Sequence, residues 1–164
     1  MNSISKKIVL VGHFGVGKSS LIRKFVLDTF SDDYKVTIGV QILKKEIKIK
    51  ETNLSFIIWD IEGKEELQSL RPSYLLGTSA FIYVIDPTRA TTYANLKLEL
   101  DYLQKNFPAT TAVTVASKSD LINITEFKKE LLELDLNVNY FSSAKTGQNV
   151  EKIFENLGLN LLNQ

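Results

Sequence analysis

A glycine-rich octapeptide near the amino terminus carries the clearest chemical signature in the sequence. Residues 12–19 read Gly-His-Phe-Gly-Val-Gly-Lys-Ser, directly after the apolar run 8–11 and before a segment with helical periodicity. Glycines at this spacing let successive backbone N–H groups wrap around a phosphate at the N-terminus of a helix. Lys18 would then reach the β- and γ-phosphates, and the hydroxyl of Ser19 would bind Mg²⁺. We therefore predict a phosphate-binding loop formed by Gly12, His13, Phe14, Gly15, Val16, Gly17, Lys18 and Ser19.

Polar residues that end three other apolar runs could complete a nucleotide site. Asp60 follows the run 56–59, where a carboxylate could hold Mg²⁺ through water, and Gly63 leaves room for its N–H to approach a γ-phosphate. Ser117-Lys118-Ser119-Asp120 ends the run 112–116, and Ser143-Ala144-Lys145 ends the last one. The carboxylate of Asp120 can accept two hydrogen bonds from the N1–H and amino group of guanine, a donor pair that adenine lacks. The pattern favours a guanine nucleotide over an adenine nucleotide.

The elements that must position these residues are short strands and amphipathic helices. The runs 8–11, 56–59, 81–85 and 112–116 are β-branched and nearly continuous, which is typical of strands covered on both faces. Apolar residues recur at spacings of three and four from Tyr93 to Phe107 and from Val150 to Leu161, and more weakly over 127–134. Residues 36–59 read as a hairpin with one solvated face, which includes Lys44 to Lys50. We predict an α/β three-layer sandwich with its ligand at the carboxyl ends of the strands.

The composition limits the class of protein. The chain has 164 residues, 20 Lys+Arg against 19 Asp+Glu, no cysteine and one histidine, His13. This length suits a single domain, which we assign to residues 1–164. Disulfides, Cys-ligated metals, a cysteine nucleophile and a multi-histidine metal site are excluded. The net charge of +1 excludes strong overall attraction to nucleic acid or anionic lipid.

No apolar run has the length of a signal peptide or a membrane span, which needs about 20 residues. We therefore expect a cytoplasmic protein without a nucleic-acid partner. Because the sequence contains no cysteine to carry a lipid, we also expect no direct membrane anchor.

Five motifs in this order resemble the Ras superfamily of small GTPases, and most closely its Rab branch, from Lys6 to about Leu161. The resemblance implies a P-loop NTPase G domain, with a mostly parallel six-stranded sheet and one antiparallel edge strand. It implies GTP/GDP and Mg²⁺ as ligands. It also implies a monomer that meets effector, exchange-factor and GTPase-activating proteins through two switch regions, which the γ-phosphate holds in place.

The resemblance also assigns roles to single residues. Phe30 matches the aromatic residue that packs against guanine. Thr37 matches the first-switch threonine that ligates Mg²⁺ and senses the γ-phosphate, so the implied metal ligands are Ser19, Thr37 and Asp60. The remaining implied nucleotide contacts are Ser20, Tyr34, Gly63, Ser117, Lys118, Asp120, Leu121, Ser143, Ala144 and Lys145. The implied catalytic positions are Lys18, Thr37, Gly63 and Lys64.

Departures from the family pattern fall on the chemistry of hydrolysis. Lys64 stands where the family usually has the glutamine that orients the attacking water, and lysine cannot accept a hydrogen bond from water. Phe14 replaces a small residue and should crowd the γ-phosphate, and Glu62 replaces the usual alanine. We predict tight GTP binding with slow hydrolysis, or hydrolysis only with partner help.

Several alternatives stay open. The chain could be a GTP-locked module that recruits effectors, and an ATP-dependent kinase or ATPase is disfavoured by Asp120. Hydrolysis could be rescued by an inward-turned Lys64, by water held on Glu62 or Glu65, or by Arg71 as an internal cation.

Three further residues carry predictions of their own. Ser117 replaces the asparagine that ties the base loop to the phosphate loop, which predicts weaker nucleotide affinity with guanine preference retained. Trp59 and Tyr74 could serve partner binding or simple packing.

Overall fold

The strands predicted from apolar runs form one six-stranded sheet in the computed structural model of the protein, which describes residues 3–33, 35–64 and 66–164. The order across the sheet is β2-β3-β1-β4-β5-β6. The β2–β3 pair is antiparallel and the other pairs are parallel, so the predicted mostly parallel sheet with one antiparallel edge strand is confirmed. The strands are β1 (Ser3–Val11), β2 (Val40–Ile49), β3 (Thr52–Ile61), β4 (Ala80–Ile85), β5 (Thr111–Ala116) and β6 (Tyr140–Phe141).

Helices cover both faces of the sheet and complete the three layers. They are α1 (Lys18–Leu27), α2 (Pro72–Leu75), α3 (Leu96–Asn106), α4 (Ile124–Glu133) and α5 (Val150–Leu162). On one face, α1 and α5 bury the stacked rings of Phe25 and Phe154, whose centroids are 3.8 Å apart, and Phe56 from β3 packs against both. On the other face, residues of α2, α3 and α4 pack against Val9, Phe81 and Ile85 of the sheet. Every residue of β4 is buried, which is why its sequence is continuously apolar.

The hairpin begins later than its sequence pattern indicates. Residues 36–39 are irregular, β2 starts at Val40, and the turn falls at Lys50, whose φ is 54°. Along β2 the exposed side chains of Lys44, Glu46 and Lys48 alternate with less exposed neighbours, as the predicted solvated face requires.

The helical spacing from Tyr93 to Phe107 places Tyr93 in a helix, but α3 starts at Leu96. Residues 90–92 form a 3₁₀ turn instead, and the Thr92 hydroxyl donates within it to the carbonyl oxygen of Arg89 at 2.8 Å. Tyr93 is nevertheless buried, with its ring edge-on to Phe127 at 5.5 Å, so its apolar spacing reports packing rather than helix. Phe107 likewise lies just beyond the last residue of α3.

Within the described residues, no helix combines the length and the apolar character needed to cross a membrane. Five strands run parallel to one another, so their carboxyl ends meet at one edge of the sheet. They are β1, β3, β4, β5 and β6. The polar motifs therefore converge on that edge.

Candidate functional site

A cavity of about 340 Å³ lies at the carboxyl edge of the sheet. Its walls come from the loop after β1, the start of α1, the segment 30–37, and the ends of β3, β5 and β6. The predicted residues that line it are Phe14, Gly15, Gly17, Lys18, Ser19, Ser20, Phe30, Thr37, Gly63, Ser117, Lys118, Asp120, Leu121, Ala144 and Lys145.

Five other predicted residues stand behind this lining, each bonded to a residue that lines the cavity. They are Gly12, His13, Val16, Asp60 and Ser143. Lys64 faces a smaller pocket beside Glu62 and Tyr83 instead. Tyr34 and Glu65 lie outside the described residues.

Lys18 is the first residue of α1, and its ammonium group lies against the phosphate loop. Its Nζ donates to the carbonyl oxygens of Gly12 at 3.0 Å and His13 at 2.9 Å, and its side chain is buried. Burial lowers the pKa of Lys18 to about 8, with the charge of Asp60 acting in the opposite direction. Because its hydrogen-bond partners are neutral carbonyls, this buried ammonium is electrostatically suited to an anion.

Two glycines make close backbone approaches that no other residue could make. A Cβ on Gly12, whose φ is 146°, would overlap the carbonyl oxygen of Val84 in the neighbouring strand. A Cβ on Gly63 would overlap the backbone N and Cα of Phe14. The second approach places the segment after β3 directly on the phosphate loop.

The next carbonyls of the loop are held by two cations that share one carboxylate. Arg89 Nη1 donates to the Phe14 carbonyl oxygen at 2.8 Å, and Lys118 Nζ donates to that of Gly15 at 3.1 Å. Asp86 Oδ2, fully buried, lies 2.6 Å from Lys118 Nζ and 4.0 Å from Arg89 Nη1. These contacts fix the positions of the Phe14 and Gly15 carbonyl oxygens, and with them the path of the loop.

Burial by itself would raise the pKa of Asp86, but hydrogen bonds from Lys118 and Thr88 hold that pKa below its ordinary value. The sequence analysis missed both Asp86 and Arg89. The position of Asp86, directly after β4 at the carboxyl edge, was the signal that could have found it.

Ser117 keeps the tie that its replacement of asparagine was expected to lose. Its hydroxyl donates to the carbonyl oxygen of Val16 in the phosphate loop and lies 3.0 Å from the carbonyl oxygen of Ile85. The premise behind the predicted weaker affinity is therefore wrong, because the backbones come close enough for a serine to span the gap. The affinity itself stays a prediction.

A carboxylate and two hydroxyls meet beside the phosphate loop. Ser19 Oγ lies 2.8 Å from Thr37 Oγ1 and donates to Asp60 Oδ2 at 2.5 Å. Asp60 is buried, and its Oδ1 has no hydrogen-bond partner among the described residues. Burial raises the pKa of Asp60, opposed by the Ser19 hydroxyl and the charge of Lys18. This hard-oxygen set, with one buried oxygen unsatisfied, fits Mg²⁺.

The predicted base-reading residues lie at the other end of the cavity. Ser143 is fully buried, and its hydroxyl donates to Asp120 Oδ1 at 2.7 Å, which orients a carboxylate that is otherwise exposed. Phe30 is partly exposed on the cavity wall. The cavity residues that sequence reasoning missed are Leu21, Arg23, Ser31, Asp32, Asp33, Lys35, Ile61 and Ser142. Ile61, Ser142 and Lys35 adjoin residues that we had identified, whereas no motif marked Ser31, Asp32 and Asp33.

The three atypical positions lie on the side of the cavity next to Gly63. Phe14 is partly exposed on the rim. Lys64 Nζ lies 3.1 Å from Glu62 Oε1, and Glu62 Oε2 accepts from the Gly39 N–H at 3.2 Å. The Gly39 hydrogen bond, followed by that of Lys64, lowers the pKa of Glu62.

Trp59 and Tyr74, for which the sequence left partner binding and simple packing open, pack against each other. The rings of Trp59 and Tyr74 are 6.2 Å apart, and Lys7 Nζ stands 3.8 Å over the Trp59 ring. The guanidinium of Arg71 lies 5.9 Å from the Tyr74 ring.

Comparison with known proteins agrees with the geometry. The sequence pattern of the Ras family matches residues 7–163. The Ras-related protein Rab-22A of Homo sapiens is 32% identical over 157 residues, covering 90% of this chain and 79% of the relative. The Ras-related protein RABF2b of Arabidopsis thaliana is 34% identical over 157 residues, covering 93% of this chain and 78% of the relative.

Proposed function

The chain belongs to the Ras family as a Rab-like small GTPase, a nucleotide-binding switch, and from that premise we propose that it binds GTP and GDP with Mg²⁺ and hydrolyses GTP slowly, or only with partner help. The observation that carries the proposal is the buried Oδ1 of Asp60, which has no hydrogen-bond partner among the described residues and lies beside the hydroxyls of Ser19 and Thr37. These three residues would hold Mg²⁺. When bound, the ion neutralises charge on the phosphate oxygens.

The phosphates and the base would be bound at opposite ends of the cavity. Lys18 supplies a buried cation whose Nζ lies on the carbonyl oxygens of Gly12 and His13, which supports an anion beside the phosphate loop. Asp120, oriented by Ser143, supports guanine over adenine. Phe30 would pack against the base.

Slow hydrolysis is supported by the position of Lys64. Its ammonium pairs with Glu62 at 3.1 Å and does not line the cavity. A lysine offers donors only, so it supplies no acceptor for an attacking water. Phe14 on the rim narrows the approach to the phosphate end. The same observations favour the second candidate function, a GTP-locked module that recruits effectors.

Partners would bind the two switch regions that the family resemblance implies, of which the first includes Thr37. Val36 and Ile38 are 56% and 85% exposed, which leaves two large apolar side chains available to a partner. Effector, exchange-factor and GTPase-activating proteins are the classes that we propose.

The nucleotide carried by the purified protein tests the proposal. Chromatography of the released ligand should give GDP or GTP, and the dissociation constant for GTP should be far below that for ATP. Chelation of Mg²⁺ should speed release. Comparable GTP and ATP affinities would refute the role of Asp120, and retained GTP rather than GDP would favour the locked module.

Single-turnover hydrolysis of the wild type and of Lys64→Gln tests the slow step. We expect a slow wild type whose rate does not fall in the variant. Lys105→Gln, an exposed lysine at the end of α3, is the matched control. A fast wild type that Lys64→Gln slows would show that Lys64 takes part in catalysis.

A further inference from the structure

Glu62 links two segments that we call the switch segments. The first is residues 35–39, and the second, to which Glu62 belongs, is residues 62–64. Its Oε2 accepts from the Gly39 N–H at 3.2 Å, and its own N–H donates to the Gly39 carbonyl oxygen at 2.8 Å. Its Oε1 lies 3.1 Å from Lys64 Nζ. One residue thus bonds Gly39 with its backbone and its side chain, and pairs with a cation of its own segment.

Among the described residues, few other contacts hold the carboxyl-terminal end of the first switch segment before β2 pairs with β3 at Val40 and Ile61. Val36 and Ile38 are 56% and 85% exposed, so they bury little apolar surface. Thr37 is tied to Ser19 Oγ at 2.8 Å. Gly39 has a φ of 71° and forms the bend into β2, and the Glu62 contacts fall at this bend.

We propose that Glu62 is a positioning residue that holds the first switch segment against the second through the Gly39 N–H, whether or not a γ-phosphate is present. The inference rests on the proposed function as a GTP/GDP switch, in which loops held by the γ-phosphate relax after hydrolysis. The Gly39–Glu62 contact includes no nucleotide atom, so loss of the terminal phosphate does not break it. The bend at Gly39 therefore stays formed in the GDP state.

Lys64 makes this arrangement compatible with an anionic ligand. A lone carboxylate on the second switch segment would repel nearby phosphates, whereas the Glu62–Lys64 pair carries no net charge. The ammonium is consequently committed to Glu62. Glu62 and Lys64, two of the three departures from the family pattern, thus act as one unit.

Amide hydrogen exchange of Gly39 measures the contact directly. The full chain is loaded with GDP or with a non-hydrolysable GTP analogue, each with Mg²⁺, and the bound nucleotide is quantified. The variants are Glu62→Ala, which restores the usual family residue, Glu62→Gln, which keeps an acceptor for Gly39, and Lys64→Gln, which removes only the ion pair. Urea unfolding confirms that each variant is folded.

In the GDP state, Glu62→Ala should speed exchange of the Gly39 amide by about threefold to tenfold, the range for an ordinary hydrogen bond, because the Glu62 side chain is 33% exposed. Glu62→Gln should retain part of the protection, and Lys64→Gln most of it. The emission of Trp59, the single tryptophan, should change less between nucleotides in the wild type than in Glu62→Ala, because Trp59 lies in β3, three residues before Glu62.

Equal exchange in the GDP-bound wild type and Glu62→Ala overturns the inference, as does full loss of protection in Lys64→Gln. A protein that binds no guanine nucleotide would instead refute the proposed function. Exchange in the nucleotide-free protein would still test the Glu62 contact in that case, because the contact needs no ligand.

Discussion

Asp86→Asn should weaken both the fold and the phosphate loop, because one buried carboxylate supports two loop-binding cations. Asp86 Oδ2 lies 2.6 Å from Lys118 Nζ, and Oδ1 accepts from the Thr88 N–H at 2.9 Å and the Thr88 hydroxyl at 2.6 Å. The asparagine keeps the shape and one acceptor oxygen. It removes the charge and turns an N–H₂ group toward the ammonium.

The size of the effect follows from burial. Breaking a fully buried ion pair costs roughly 3–5 kcal/mol. Here only the carboxylate is fully buried, since the Lys118 and Arg89 side chains are 36% and 42% exposed and water can solvate them. The loss is therefore closer to that of one hydrogen bond to a charged group, about 2 kcal/mol. With a urea slope of about 2 kcal/mol/M, the midpoint should fall by about 1 M.

Two measurements check this value. Urea unfolding gives the midpoint, and the release rate of a fluorescent GDP reports on the phosphate loop. GDP should dissociate faster once Lys118 and Arg89 lose their carboxylate partner. The matched control is Asp135→Asn, which breaks the Lys97–Asp135 pair, 3.1 Å apart with both side chains well exposed. The control should leave midpoint and release rate nearly unchanged.

The reasoning fails if Asp86→Asn and Asp135→Asn shift the midpoint equally. A lower midpoint with unchanged nucleotide release would keep the stability argument and reject the support of the phosphate loop. Thr88→Val, which removes only the hydroxyl bond, should fall between the two variants.

Three other substitutions test separate parts of the structure. Burial raises the pKa of Glu99 above its ordinary 4.5, although its carboxylate accepts from the Leu67 N–H. The wild type therefore loses stability as the pH rises from 4.5 to the raised pKa of the folded protein. Glu99→Gln should therefore gain melting temperature relative to wild type between pH 4 and pH 8, and a constant difference would contradict this. Ser143→Ala should lower the GTP-over-ATP preference by about tenfold in competition binding, because Asp120 loses its orienting hydrogen bond. Phe154→Ala should cost about 3–5 kcal/mol in urea unfolding, since its ring is buried in the core.

The parts of the site that sequence could predict are those that each lie within one short segment. The phosphate loop needs glycines at fixed offsets after a strand and before a helix, and all of these are visible in residues 8–25. The rule that ligands bind at the carboxyl ends of parallel strands then brings Asp60 and Asp120 to the same edge of the sheet without any knowledge of contacts.

Contacts between distant segments could not be predicted in this way. Arg89 bonds the carbonyl oxygen of a residue 75 positions away, and that approach depends on the pairing of β1 with β4. Ser117 was misjudged for the same reason, because its reach depends on how closely β5 approaches the phosphate loop, 101 positions away. Residue type alone gives neither distance.

The atypical switch residues illustrate a third limit, since each was interpreted alone although the structure pairs them. Glu62 and Lys64 neutralise one another at 3.1 Å. Lys64→Gln by itself therefore leaves an uncompensated carboxylate near the phosphates, and Glu62→Ala leaves a lone ammonium. The double variant, which restores both family residues, should hydrolyse GTP faster than the two single effects predict together, because coupled residues are not additive. Additive rates in that cycle would mean that the two departures act independently.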